Sequence, residues 1–304
     1  MSEHVHGSNI GDAWVNAFEL LAGTTANEVV NLTVTIANPG LELSGVRRQI
    51  DRAVAQLRLE GRDGFIRNAK SVHTVANTIF PISLYRVGRA DSFYNAVRKG
   101  QSGRKGTVTS WGPNSGTYAG RLVRYPTYDK GEFNQIKRLV EYLNNKPTYR
   151  DRYELSLTCE PPEDEPANRS PGASASTFVP GYDNATRGGQ CLSHISLNVT
   201  DGTLSMTALY RHQTFVGRAY GNFLGLARLQ HFLVHETDTD LRPGELMVVA
   251  SHADIESAAA SQRVSLLESS RACLAEQPVP IEWQARQLGS SWSDLELPAL
   301  TGNP

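Results

Sequence analysis

Apolar positions recur at helical intervals along several stretches of this chain and at every second position along others. Within Leu41 to Leu59, the residues Val46, Ile50, Val54 and Leu57 fall on one side of a predicted helix. Glu132 to Asn144 repeats the pattern with Phe133, Ile136, Leu139, Val140 and Leu143, and Asn144-Asn145 followed by Pro147 supplies a stop. Asp12 to Leu21 reads as a shorter amphipathic helix, Ser71 to Leu84 as a helix broken near Pro81, and Phe223 to Glu236 as an apolar one. The period changes to two in Val29 to Ala37, a half-buried strand. Leu192 to Val199 and Thr203 to Tyr210 flank Asp201-Gly202, the signal of a two-residue hairpin. Arg242-Pro-Gly-Glu245 is expected to turn the chain into a strand at Leu246 to Ser251.

Two stretches carry no period. Lys99 to Gly120, rich in Gly, Ser and Lys, has the composition of a loop, and Glu160 to Gly189, with repeated Pro and small polar residues, reads as a flexible insertion. No internal repeat is visible, and the expectation is one domain over residues 1–304 with that insertion at 160–189.

Composition narrows the classes. The chain has 304 residues, 39% hydrophobic and 20% charged, enough for an ample core. A formal net charge of -1 gives no global field for nucleic acid, although a few local arginines suffice to hold one phosphate. The three cysteines, Cys159, Cys191 and Cys273, form no CxxC pair, which argues against a disulfide framework and a structural zinc site, so no metal is expected. No apolar run approaches the roughly 18 residues of a membrane span, and a cytoplasmic protein is expected. The sequons at Asn31, Asn184 and Asn198 add nothing without a route to secretion.

One constellation carries chemistry. Cys191, the Asp201-Gly202 turn with the DG-x-LS string to Ser205, Arg211, Asn222 and His252 stand at intervals that match a known family without a gap. In these residues, and in the helix and Pro-Gly-Glu segment between Asn222 and His252, the chain resembles the thymidylate synthase and deoxycytidylate hydroxymethylase superfamily. The match is dense over residues 190–255, weaker over 120–150 and faint elsewhere. Read singly, Cys191 would be a buried structural cysteine, Arg211 a surface charge, Asn222 a turn residue and His252 a structural imidazole; their shared spacing favours binding roles.

The resemblance implies an α/β fold with a large mixed β-sheet flanked by helices, one sheet face forming a homodimer interface. It implies a pyrimidine nucleoside monophosphate as substrate and 5,10-methylenetetrahydrofolate as one-carbon donor. Cys191 would add to C6 of the base, because a pyrimidine C5 becomes nucleophilic only once a thiolate has made the ring an enolate. Arg211 would hold the phosphate and lower the thiol's pKa. Asn222 matches the edge of uracil, whereas the hydroxymethylases prefer aspartate there. His252 would contact the sugar.

Departures bear on the reaction. Asn77 stands where the family has a proton-relaying glutamate, and an amide cannot titrate. Leu192 replaces the histidine beside the family's cysteine, with His194 two residues on. Asp254 replaces a sugar-contacting tyrosine and could accept from both hydroxyls of a ribose. Arg150 and Arg152 are the counterparts of paired arginines that reach a partner's phosphate, and Tyr118 lies one place early for the family's proton-abstracting tyrosine. The C-terminus does not resemble the family's tail over the folate. Two rivals to a C5 methyl- or hydroxymethyltransferase remain: a nucleotide-binding protein that lost the transfer, and an enzyme pairing Cys191 with His194 or His252 for another reaction such as hydrolysis.

Overall fold

Strands β1 (Glu3–Gly7) and β2 (Glu28–Ile36) lie side by side in parallel, which requires a crossover. Helix α1 (Ile10–Gly23) supplies it. The Asn9 side chain accepts from the Gly11 and Asp12 amides, so α1 begins two residues before the predicted Asp12, and it buries Trp14, Phe18 and Leu21. The computed structural model describes residues 2–60, 70–102, 117–126, 132–144, 154–156 and 191–284.

After β3 (Leu41–Glu42), helix α2 (Ser44–Glu60) buries Val46, Ile50, Val54 and Leu57, as their spacing predicts. Helix α3 (Val72–Ile79) is capped by Ser71 and ends at Phe80, ahead of Pro81. Helix α4 (Ala90–Ser102) extends into the predicted Lys99 to Gly120 loop, and α5 (Tyr118–Val123) begins inside its other end. The middle of that loop lies outside the described residues. Strands β4 (Tyr125–Pro126) and β5 (Glu132–Phe133) pair, so the helix predicted from Glu132 starts later, as α6 (Gln135–Asn144). The 160–189 segment, with Cys159, also lies outside the described residues.

Strands β6 (Glu154–Ser156), β7 (Leu192–Thr200), β8 (Thr203–Tyr210), β9 (Gln213–Thr214) and β10 (Arg242–Asp254) join β1 and β2 in the main sheet. Its seven strands run in the order β1-β2-β10-β8-β7-β6, with β9 on β10 as well. Parallel pairs (β1/β2, β10/β8, β10/β9) mix with antiparallel ones, and helices flank the sheet, as expected of the α/β class. Asp201 and Gly202 both have positive φ, 49° and 70°, the geometry that a two-residue hairpin turn needs.

The Pro-Gly-Glu segment differs from expectation. It lies inside β10, which begins at Arg242; Gly244 and Glu245 together oppose the single Ser205 of β8, a bulge. A Cβ on Gly244 would stand 2.6 Å from Thr203 Cγ2, so only glycine admits this approach. Helix α7 (Tyr220–His235) fastens the bulge: Gln230 Nε2 donates to the carbonyls of Leu204 (2.7 Å) and Gly244 (3.1 Å). On another side α7 meets α3, where a Cβ on Gly225 would lie 2.8 Å from the Ala76 carbonyl. Helix α8 (Arg263–Ala272) and strand β11 (Val279–Pro280), which pairs with β3, complete the described chain. No helix among the described residues is long and apolar enough to cross a membrane.

Fully buried Arg228 on α7 donates to the Glu282 carbonyl (2.9 Å), Asn77 Oδ1 (3.2 Å) and His73 Nδ1 (2.8 Å). Burial, then the Arg228 charge, pushes the His73 pKa down to about 3; burial, then His235, takes His231 to about 4. Both imidazoles stay neutral in the fold, whereas in the unfolded chain they titrate near 6.5. At these two groups the unfolded state therefore binds more protons between those limits, and the stability they contribute is full above 6.5 and falls as pH drops towards 4.

Two measurements check this scheme. Gln230→Leu strips the bulge carbonyls of their donor and should cost about 2 kcal/mol in urea unfolding. The urea midpoint should fall between neutral pH and about pH 4, and His231→Phe, which removes one titrating group, should make that fall shallower.

Candidate active site

Strand directions gather one set of side chains at one end of the sheet. Strands β8 and β10 run parallel, so Arg211, just past β8, and His252 and Asp254, at the close of β10, emerge together. Strand β7 is antiparallel to β8, which brings its entry, and Cys191 just before it, to the same end. The chain passes from β8 through β9 and the π-turn Phe215–Ala219 directly into α7, so Asn222, in the first turn of α7, starts from there too.

Cys191 is half-buried, and its carbonyl accepts from the Arg211 amide at 2.8 Å across the open end of the hairpin. The Cys191 and Leu192 amides both donate to Tyr118 Oη, each at 3.2 Å. Burial pushes the Cys191 thiol above its ordinary pKa, and the guanidinium charges of Arg211 and Arg218 pull against it. The Tyr118 hydroxyl is also raised, by burial and then by the charge a Cys191 thiolate would carry. Tyr210, wholly buried, carries a hydroxyl with no partner among the described residues, and its pKa lies well above normal through burial, with the Tyr118 and Cys191 charges adding to the shift.

The π-turn that carries Arg218 is fastened by a carboxylate. The Val216 and Gly217 amides of the π-turn donate to Glu256 at 3.0 and 2.7 Å, and a Cβ on Gly217 would stand 2.8 Å from Glu256 Oε1. Burial raises the Glu256 pKa, and the amides it accepts from lower it in part.

Beyond Arg211, His212 Nε2 lies 2.9 Å from Asp254 Oδ1, and the hydrogen bond to Asp254 raises the His212 pKa. His252 Nε2 lies 3.2 Å from Glu28 Oε2, and the rings of His212 and His252 are 5.0 Å apart between centroids.

No family model matches the chain. A protein of Methanosarcina barkeri (strain Fusaro / DSM 804), named "Putative thymidylate synthase", is 25% identical over 139 residues, 46% of this chain and 52% of the relative. The relationship to a thymidylate synthase-like protein is distant. The chain spans about half the length of that curated relative.

Of the residues singled out from sequence, Cys191, Arg211, Asn222, His252, Asp254 and Tyr118 belong to this end of the molecule. Asn77 faces Arg228 between α3 and α7. His194 lies within β7, past a register shift, opposite Leu209 of β8 and Ser156 of β6. Arg150 and Arg152 lie outside the described residues. Sequence reasoning missed Arg218, Tyr210, His212 and Glu256. The His-x-Asp spacing of His252 and Asp254 was a signal for a third partner, but nothing local pointed to His212 as that partner or to Arg218 as a second cation.

The opposing charges make a checkable statement about the thiol. In a Cys159→Ser, Cys273→Ser background, alkylation of Cys191 by iodoacetamide should rise with pH about a midpoint above that of an ordinary cysteine. Arg218→Gln should move that midpoint higher still and slow the reaction at neutral pH.

Proposed function

We propose that the protein is a thymidylate synthase-like transferase acting on a uridylate-type nucleoside monophosphate, in which Cys191 adds to C6 of the base and so activates C5 for a methyl or hydroxymethyl group. The observation that carries this reading is the joining of Cys191 to Arg211 across the hairpin, with Arg211 and Arg218 both opposing the burial of the thiol. The distant relationship to a protein named as a thymidylate synthase supports it.

In this scheme the thiolate sulfur forms a bond to C6 while the C5–C6 π pair moves through C4 onto its oxygen, giving an enolate nucleophilic at C5. Arg211, with Arg150 or Arg152 of a second copy, holds the phosphate. Asn222 donates to a base carbonyl and accepts from the ring N–H. His252 and Asp254 hold the sugar hydroxyls, in exchange for Glu28 and His212. Val30 on β2 and Leu209 on β8 are exposed large apolar residues of the sheet, which suits a homodimer.

The described residues fit the nucleotide half of this reaction better than the donor half. 5,10-Methylenetetrahydrofolate would supply the one-carbon unit, but the position of the family's proton relay is filled by Asn77, whose Oδ1 accepts from Arg228. That bond and the raised thiol favour a second reading, a nucleotide-binding protein without transfer.

Incubation with 5-fluoro-UMP or 5-fluoro-dUMP in the presence of a chelator, with and without methylenetetrahydrofolate, separates the two. A protein mass increased by the nucleotide, absent in Cys191→Ser, is the expected outcome; the further mass of the folate would identify the donor. Calorimetric binding of UMP or dUMP without any adduct would establish the second reading, and neither adduct nor binding would overturn both.

A further inference from the structure

Three side chains at this end of the sheet, two of them given above to the sugar, have a second use. His212, His252 and Asp254 each offer one ligand atom, and the three atoms lie within 4.8 Å of one another, all half-buried. His252 and Asp254 alternate along β10, and β9 pairs with β10 at Ala253↔Gln213 and Asp254↔Thr214, which brings the residue preceding β9, His212, alongside them. His252 and Asp254 are therefore fixed by sheet register, and His212 stands one residue before a strand pinned to the same β10.

From this geometry we infer that His212, His252 and Asp254 form a binding site for a divalent transition-metal cation. Two imidazoles and one carboxylate suit zinc, iron(II), cobalt or nickel, and disfavour the all-oxygen preference of magnesium and calcium. An ion about 2.0–2.2 Å from each ligand needs ligand atoms roughly 3–3.5 Å apart. His212 Nε2 and Asp254 Oδ1, at 2.9 Å, lie just under that spacing and would part slightly around an ion, and the His252 ligand atom lies within 4.8 Å of both. A cation taken by His252 Nδ1 leaves Nε2 on Glu28 at 3.2 Å, an outer carboxylate of the kind that fixes the tautomer of a ligating histidine.

Three protein ligands leave coordination positions for water or for oxygens of a bound molecule. The site does not depend on the nucleotide reading. Where both hold, the cation occupies the place given above to the sugar, and sugar and metal compete for the same side chains.

The test uses the full chain without a histidine tag, stripped with chelator and titrated with CoCl2 and, separately, ZnCl2. One equivalent should bind by calorimetry, cobalt should develop a visible absorption band, and zinc should displace it. His212→Ala and Asp254→Asn should each weaken binding at least tenfold. His4→Ala/His6→Ala, which removes another histidine pair (ring centroids 4.1 Å apart), should leave it unchanged. Absence of heat and of the cobalt band in the unaltered protein would overturn the site, as would equal binding by a folded His212→Ala/Asp254→Asn variant. Because the fluoronucleotide reaction is run in chelator, its result and this one can fail separately.

Discussion

The register of strand β8 is the constraint on which the site depends. It pairs in parallel with β10 and antiparallel with β7, so the exit of one strand, the close of another and the entry of a third meet at one edge. Cys191, Arg211, His212, His252 and Asp254 share a neighbourhood because of this pairing, although the first and last are 63 residues apart in the chain. A slip of one residue would turn each side chain to the other face of the sheet. Two devices resist such a slip: the hairpin turn at Asp201-Gly202 and the bulge at Gly244-Glu245, each at the far end of β8 from the thiol. Gln230 joins the bulge to α7, so the helix that carries Asn222 is referenced to the same strand.

Electrostatics at the site follow from burial opposed by placed charge. The thiol of Cys191 loses hydration, and two guanidiniums restore part of what its ionised form needs. Arg211 reaches it through a backbone pairing, Arg218 through a π-turn whose amides are fastened to Glu256. Glu256 thus acts on the thiol only through the turn it anchors. The same side of the sheet sets His212 against Asp254 and His252 against Glu28, so imidazole and carboxylate alternate across strand ends.

Much of this was legible in the sequence where the determinants were local. Val46, Ile50, Val54 and Leu57 gave α2 because a 3.6-residue period needs no partner to be read, and Asp201-Gly202 gave the hairpin because positive φ at two positions selects few residues. The interval from Cys191 to His252 singled out residues that strand register brings to one end of the sheet. Strand β1 and helix α4 were not seen: Glu3–Gly7 is short and carries one aliphatic side chain, and among its described side chains α4 buries only Phe93, Tyr94 and Val97 before running into the Gly- and Ser-rich stretch that reads as a loop. Pro-Gly-Glu read as a turn because its residues favour one; the pairing with Leu204 and Met206 kept it within a strand. Arg218 and His212 escaped because their meaning comes from distant elements, the Cys191 entry of β7 and the Asp254 close of β10.

The Arg228 cluster implies an order in how the molecule is made. The guanidinium belongs to α7, yet one of its acceptors, the carbonyl of Glu282, is translated 54 residues later. A nascent chain halted before that point can assemble α2, α3 and α7 only with a charged group short of an acceptor, a deficit on the order of 1–3 kcal/mol. The interior around Arg228 is therefore complete only once the segment carrying Glu282 has joined α7.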